Sequence, residues 1–271
     1  MSDFSSDLIG RSGYERQGFA AHYDRYRPRP PAALPESLLQ LARVERATLV
    51  VDLGAGTGLS TRAWAGFADR VVGVEPNPAM RAAAEQATGA ANVEFVGAFA
   101  QDTGLPGGEA DVVTCSQSLH WMDPEPTFAE AARLLRPGGV FAAYDYDVVP
   151  VCDWEVEQAY AALLERRNAL RAERGIEKGT DRYSKDGHLE RIRASGRFRY
   201  CREVVLQSVE EGSAERIVGY ALSLGLPVAD RGDHELEHAL GLDDLRQTAE
   251  RAFGDRVVPF RFGYRLRIGI R

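Results

Sequence analysis

Cysteine is scarce in this chain: Cys115, Cys152 and Cys201 are the only three among 271 residues. They are odd in number and lack metal-ligand spacing, so neither a disulfide framework nor a zinc site is expected, and a reducing, cytoplasmic setting fits. Long apolar runs are also missing, and nothing approaches the roughly 20 residues needed to span a bilayer. The opening MSDFSSDLIG carries two aspartates and no apolar core, which is unlike a signal peptide. Positive charge is in deficit, with 33 Lys and Arg against 40 Asp and Glu and a net charge of −7. Such a balance argues against a broad phosphate-binding surface, and so against nucleic-acid or membrane partners. No internal repeat or low-complexity tract interrupts the chain. What remains, 44% hydrophobic and 27% charged residues, is an ordinary globular composition, enough for one large α/β domain or a domain with a smaller lobe.

Along the chain, FAAHYDRYRPRPPAALPESLLQLARV places Phe19, Tyr23 and Tyr26 on one helical face until the prolines at 28, 30 and 31 end it. A second helix follows with Leu34, Leu38 and Leu41 inward and Leu39 as a further candidate. From Leu49 the pattern alternates, predicting strands near 48–53, 70–75, 93–97, 110–115 and 138–146 and helices near 59–66, 78–87 and 125–135. That is the signature of a parallel sheet covered on both faces. DWEVEQAYAALLERRNALRAER, 153–174, reads as an amphipathic helix too long to be a connector, and GTDRYSKDG as loop. A helix near 186–195, a strand near 198–208 and helical segments near 212–224 and 234–253 precede a last strand, RVVPFRFGYRLRIGIR. There Phe260, Phe262, Tyr264, Leu266, Ile268 and Ile270 share one face, and Arg261, Arg265 and Arg267 the other, read as a solvated or partly covered sheet face. The expected organisation is lid helices over 1–46, an α/β core over 47–149, a helical cap over 150–182, and the rest of the core over 183–271 with further cap helices near 212–253.

The chemistry concentrates in VVDLGAGTGLST, residues 50–61. A dinucleotide fingerprint has glycines at its first, third and sixth positions. Here they fall at Gly54, Gly56 and Gly58, and the sixth position is Leu59. Asp52 at the strand end is poorly placed beside a pyrophosphate but suits a ligand with a cationic end, while amides at a helix start accept a carboxylate. The next strand ends at Glu75, 21 residues after Gly54, the spacing at which an acid reaches both hydroxyls of a ribose. A nucleoside with an amino-acid tail fits both features.

VVDLGAGTGLST, VVGVEPNPAM, ADVVTCSQSLHW and EAARLLRPGGVFA, in this order over about half the chain, resemble the class I S-adenosylmethionine (SAM) dependent methyltransferases. Among them the chain is most similar to the trans-aconitate-methyltransferase-like group of small-molecule enzymes. The resemblance implies a doubly wound seven-stranded sheet with its last strand antiparallel, a helical cap, and methyl transfer from SAM to a small-molecule acceptor. It further implies that Gly54, Ala55, Gly56 and Gly58 line the methionine part of SAM, with Asp52 near its ammonium. Glu75 would hold the ribose, Pro76 and Met80 would flank sugar and adenine, and Ala100 and Gln101 would meet adenine. Gln101 departs from the acidic residue common there, though its amide oxygen can accept the same hydrogen bond. Ser116 and Gln117 would sit beside the sulfonium. Tyr23 and Arg27 match an N-terminal lid, with the arginine expected at the SAM carboxylate.

His120, in SQSLHW past the fourth strand, is the candidate catalytic residue, as a proton acceptor or an orienting group, the alternative being that it shapes the pocket floor. His234 and His238 lie four apart but have no third ligand, so no metal is expected. LLRPGG reads as structural, with Pro137, Gly138 and Gly139 stopping a helix and turning the chain into the fifth strand.

Overall fold

A computed structural model describes residues 19–173, 183–224 and 234–271; the opening decapeptide and part of the expected cap at 150–182 lie outside them. Seven strands form one sheet in the order β3-β2-β1-β4-β5-β7-β6: β1 Ala47–Leu53, β2 Ala68–Val74, β3 Val93–Val96, β4 Ala110–Ser116, β5 Leu135–Tyr146, β6 Tyr200–Gly212 and β7 Val258–Ile270. The first five pair in parallel, and β7 runs antiparallel between β5 and β6. β1 and β4 read as near-continuous apolar runs because both faces of a parallel sheet are buried.

Ten α-helices complete the described chain: α1 Phe19–Tyr26, α2 Ala33–Ala42, α3 Leu59–Ala63, α4 Pro78–Ala87, α5 Pro124–Leu134, α6 Trp154–Glu173, α7 His188–Ala194, α8 Ala214–Ser223, α9 His234–Leu240 and α10 Leu242–Phe253. On one sheet face, Val50, Val71, Val112 and Ile268 share a core with Leu34 and Leu38 of α2, Leu163 of α6 and Leu245 of α10. On the other, Val51, Val72, Val113 and Phe141 pack with Phe128 of α5 and Ile192 of α7. Strand order reverses between β1 and β4, so ligands belong at the carboxyl ends of these strands. At that edge α6 follows the end of β5, and α8, α9 and α10 lie between the end of β6 and the start of β7.

Several boundaries differ from the sequence reading for local reasons. The helix near 59–66 is one short turn, Leu59–Ala63, because the chain folds at once around the buried Trp64. β5 begins at Leu135, before Pro137: the RPGG stretch is an irregular loop-out, with Ala110 opposite Leu135 and Val112 opposite Val140. A Cβ at Gly139 would come within 3.0 Å of the Ala110 carbonyl oxygen. β6 runs on to Gly212 because β7 pairs with it along its whole length. The helix at 234–253 is two, split at Gly241, whose φ of +75° no helix interior accommodates. Arg261 and Arg265 are exposed, but Arg267 is buried, donating to Asp145 at 2.7 Å and Glu203 at 2.9 Å. It is therefore an internal ion pair rather than part of a solvated face.

Candidate functional site

At the end of β1 the chain crosses to β2, with Gly54 and Ala55 donating to the Val74 carbonyl at 2.8 and 3.0 Å. Asp52 lies beneath the loop, 0% exposed. One of its oxygens accepts from Thr61 at 2.7 Å and the other from Thr114 at 2.7 Å. Burial, with Glu75 contributing, pushes its pKa up to about 6. Each oxygen thus accepts one threonine hydroxyl, and the expected place of Asp52 near a ligand's ammonium has it acting from beneath the loop.

The three glycines divide by role. A Cβ at Gly54 would fall 2.6 Å from Met122 Cε and 2.7 Å from Ser118 Cβ, and one at Gly58 2.7 Å from Phe95 Cζ and 3.1 Å from Ala84 Cβ. Both are bare so that protein can pack on them. At Gly56, φ +58°, the nearest atom is Met80 Cε at 3.6 Å, so this glycine alone among the three turns bare backbone toward open space. Its N–H is already given to Glu75, at 2.8 Å.

Glu75, 8% exposed, holds the loop with one oxygen and the Asn77 N–H with the other, at 2.8 Å. Asn77 in turn caps α4, accepting from Ala79 and Met80. Burial raises the Glu75 pKa, against the lowering by its two backbone donors and Arg81. Each oxygen keeps a lone pair, enough to accept from a pair of ribose hydroxyls. Pro76 is half-buried beside it, Met80 and Ala100 are buried, and Gln101 is exposed beyond β3.

Past β4, Ser116 and Gln117 are half-buried. Gln117 adopts φ +51° and donates its N–H to the Tyr144 carbonyl at 2.9 Å. Left-handed backbone is uncommon for a non-glycine residue and clusters at functional sites. His120, 6% exposed, lies on a 3₁₀ turn, Leu119–Trp121, and its carbonyl accepts the Tyr183 N–H at 3.2 Å. Burial, then the Lys185 charge, pushes its pKa down to about 3.

Helix α1 makes contacts on both the glycine-loop side and the α8 side. Asp24 is tied to Thr57 and Arg62 on the glycine-loop side. His22 meets the Gly219 carbonyl at 2.9 Å on the α8 side. Tyr23 stacks on Arg27, 4.5 Å from ring centre to guanidinium. Arg27 donates to the Tyr146 hydroxyl and the Ser223 carbonyl, each at 2.8 Å. Arg27 thus bridges the end of β5 and the end of α8.

Sequence reasoning missed two residues here. Lys185, in the stretch read as loop, donates to Gln117 Oε1 at 2.6 Å and pairs with Asp145 at 3.2 Å. Asp145, next to last in β5, also receives Arg267. The only hint was AYDYD, an acid inside an apolar strand.

The sequence profile of the methyltransferase domain matches residues 51–143. An uncharacterized methyltransferase of Mycobacterium tuberculosis is 41% identical over 122 residues, 43% of this chain and 46% of that protein. The ubiquinone biosynthesis O-methyltransferase of Aromatoleum aromaticum is 30% identical over 175 residues, 59% of this chain and 64% of that protein. A solved candidate type II methyltransferase of Anaeromyxobacter dehalogenans has a TM-score of 0.64 at 26% identity, covering 90% of this chain and 98% of that one. The chain spans about half the length of curated relatives such as the mycobacterial protein. Residues 51–143 are a methyltransferase domain, set in the fold of the class I SAM-dependent methyltransferases. The probable S-adenosylmethionine-dependent methyltransferase CRG1 of Saccharomyces cerevisiae is 29% identical over 142 residues, 50% of this chain and 48% of that protein.

Proposed function

We propose that the chain transfers a methyl group from SAM to oxygen on a small-molecule acceptor, as a member of the trans-aconitate-methyltransferase-like group. The observation that carries this reading is the pair Asp52 and Glu75. Both carboxyl groups are buried at the glycine loop, and neither has an ion-pair partner among the described residues. Such a site repels a pyrophosphate and favours a ligand that brings its own positive charge and two vicinal hydroxyls. When bound, SAM supplies an electrophilic methyl on a sulfonium.

What the protein contributes is position and dryness, which in well-oriented cases is worth about 7–11 kcal/mol. Glu75 holds the ribose, and Pro76, Met80, Ala100 and Gln101 flank sugar and base. Gly54, Ala55, Gly56 and Gly58 shape the loop that receives the methionine tail. Asp52 acts from beneath by its field, and Ser116 and Gln117 border the methyl. The cap helices limit the acceptor's size.

An oxygen acceptor is favoured by charge. A cationic amine would call for a free carboxylate beside Gln117, and Asp145 there is already matched by Arg267 and Lys185. With its pKa near 3, His120 is neutral at physiological pH and a weak base, so its role is to orient the acceptor. A small acceptor rather than nucleic acid fits the acidic net charge of −7 and the burial of Arg267. The test is turnover: formation of S-adenosylhomocysteine (SAH) from SAM with a library of hydroxyl, carboxyl and amine acceptors. Activity confined to amines, or none with any acceptor, would sink the oxygen reading.

A further inference from the structure

Two segments far apart in sequence close on each other at the carboxyl end of β4. Ser118 donates its hydroxyl to the Leu53 carbonyl at 2.8 Å, and a Cβ on Gly54 would fall 2.7 Å from Ser118 Cβ. The loop after β4 therefore lies directly against the glycine loop. Residues 183–185 fasten to it twice: the Tyr183 N–H donates to the His120 carbonyl at 3.2 Å, and the Lys185 ammonium to Gln117 Oε1 at 2.6 Å. Asp145 lies 3.2 Å from the same ammonium, while its other oxygen takes Arg267 at 2.7 Å. Among the described residues, the shortest polar contact of Lys185 is thus with a neutral amide rather than with the acid. The Gln117 backbone is held as well, at φ +51° with its N–H on the Tyr144 carbonyl. Its side-chain NH2 has no hydrogen-bond partner among the described residues.

A lysine ammonium has three donors and no acceptor, whereas a carboxamide has an oxygen that accepts and an NH2 that donates. A lysine on the oxygen therefore fixes which way round the carboxamide lies, and the NH2 is what Gln117 has left to offer a neighbour. In methyl transfer the acceptor atom gives a lone pair to the methyl carbon, and the pair of the breaking S–C bond returns to sulfur. An oxygen attacks with one lone pair, keeps another that can accept from the NH2, and releases any proton it carries to solvent. An amine nitrogen has a single lone pair and uses it on the methyl. Only N–H donors remain on it, and they would face a second donor. Lys185 thus bears on which element is methylated.

We propose that Lys185 is a positioning residue that holds the Gln117 carboxamide with its NH2 toward the methyl, so that the site selects oxygen over nitrogen. The proposal rests on the methyl-transfer reading, in which Gln117 borders the methyl, and names the residue that sets the acceptor atom. Lys185→Met frees the amide to turn and present its oxygen, the orientation that an ammonium or an N–H favours. Lys185→Arg keeps a donor on that oxygen.

The probe is sinefungin, which carries an ammonium on carbon where SAM has its methyl on sulfur, and which needs no methyl acceptor. Calorimetry on the full chain compares its affinity with that of SAH. Lys185→Met should raise the preference for sinefungin over SAH by about fivefold or more, with SAH affinity within about twofold, and Lys185→Arg should keep the wild-type preference. Loss of the lysine charge would by itself favour an ammonium, so the same change is also made in a Gln117→Met background. There it should move the preference by less than about twofold. Gln117→Met alone supplies the sign and decides the matter if Lys185→Met does not fold. Loss of an NH2 that faces the ammonium raises the preference for sinefungin, the expected result, whereas loss of an oxygen lowers it. The proposal is overturned if Lys185→Met leaves the preference unchanged, if its effect persists without Gln117, or if Gln117→Met lowers or does not move the preference. Equal weakening of both ligands in Lys185→Met also overturns it, by making the contact structural. Each of these results leaves methyl transfer standing; a wild-type chain that binds neither ligand removes the methyl-transfer reading itself, and this proposal with it.

Discussion

Glu75 and Asp52 make different demands, although both are acids at a strand end. Glu75 still has lone pairs facing the loop, and a charge-assisted hydrogen bond is worth about 1.5–3 kcal/mol. Glu75→Ala should weaken SAH binding at least tenfold in a folded variant, and unchanged affinity by calorimetry would remove it from the ribose site. Asp52 acts through its field and its pH dependence. Its folded pKa, about 6, is above the ordinary value, so its contribution to stability is full below about pH 4 and is lost as pH rises through 6. Asp52→Asn should therefore flatten the part of the stability profile between pH 4 and 6, as read by urea unfolding. A cationic ligand nearby favours the charged form, so SAH or SAM binding near pH 6 should release a proton, detectable as a buffer-dependent binding enthalpy that the Asn variant lacks. His120→Asn should lower turnover less than tenfold; a loss of 10² or more would restore a general-base role.

The elements were legible in the sequence wherever one periodicity ran without competition. The five parallel strands and the alternation of β7 could be read directly, because burial on one face or both leaves a period-two or continuous apolar trace. What escaped detection involved partners far away in sequence. Arg267 shares the exposed-looking face with Arg261 and Arg265 and is told apart only by meeting Asp145 and Glu203 across strands. Lys185 sits in a stretch with no period at all, and nothing local announces that it grips Gln117. Gly219 is a third such case: it is a glycine inside α8 where helix propensity alone favours alanine by about 1 kcal/mol. Its missing side chain makes room for Tyr26, whose ring carbons would lie 2.5 Å from an added Cβ. Gly219→Val should push the lid helix α1 away from α8. The expected result is faster SAH release, measured by stopped-flow displacement, with the melting temperature lowered only modestly. An unaltered release rate would show that α1 does not retain the cofactor.

At the scale of the whole molecule, the sheet and its cap should behave as one cooperative body, and α1 explains why. One side of the helix is tied through Asp24 to the glycine loop, while the other is tied through His22 and Arg27 to α8. A ligand that binds the native state stabilises it by about 2.7 kcal/mol at a concentration of 100 Kd. For a chain of this size, that corresponds to a rise in melting temperature of roughly 5–10 °C. Wild-type protein with SAH at that concentration should show a single thermal transition displaced upward as a unit, whereas NADH at equal concentration should leave it in place. Two transitions, only one of them responding to SAH, would mean that the cap unfolds independently and that the ties through α1 are weak. In Glu75→Ala, the SAH response at the same concentration should fall to about half or less, while the ligand-free melting temperature stays within a few degrees, because the loop still hangs from Val74 by two backbone bonds. A large drop in that ligand-free temperature would reassign Glu75 from cofactor binding to holding the β1–β2 crossing together.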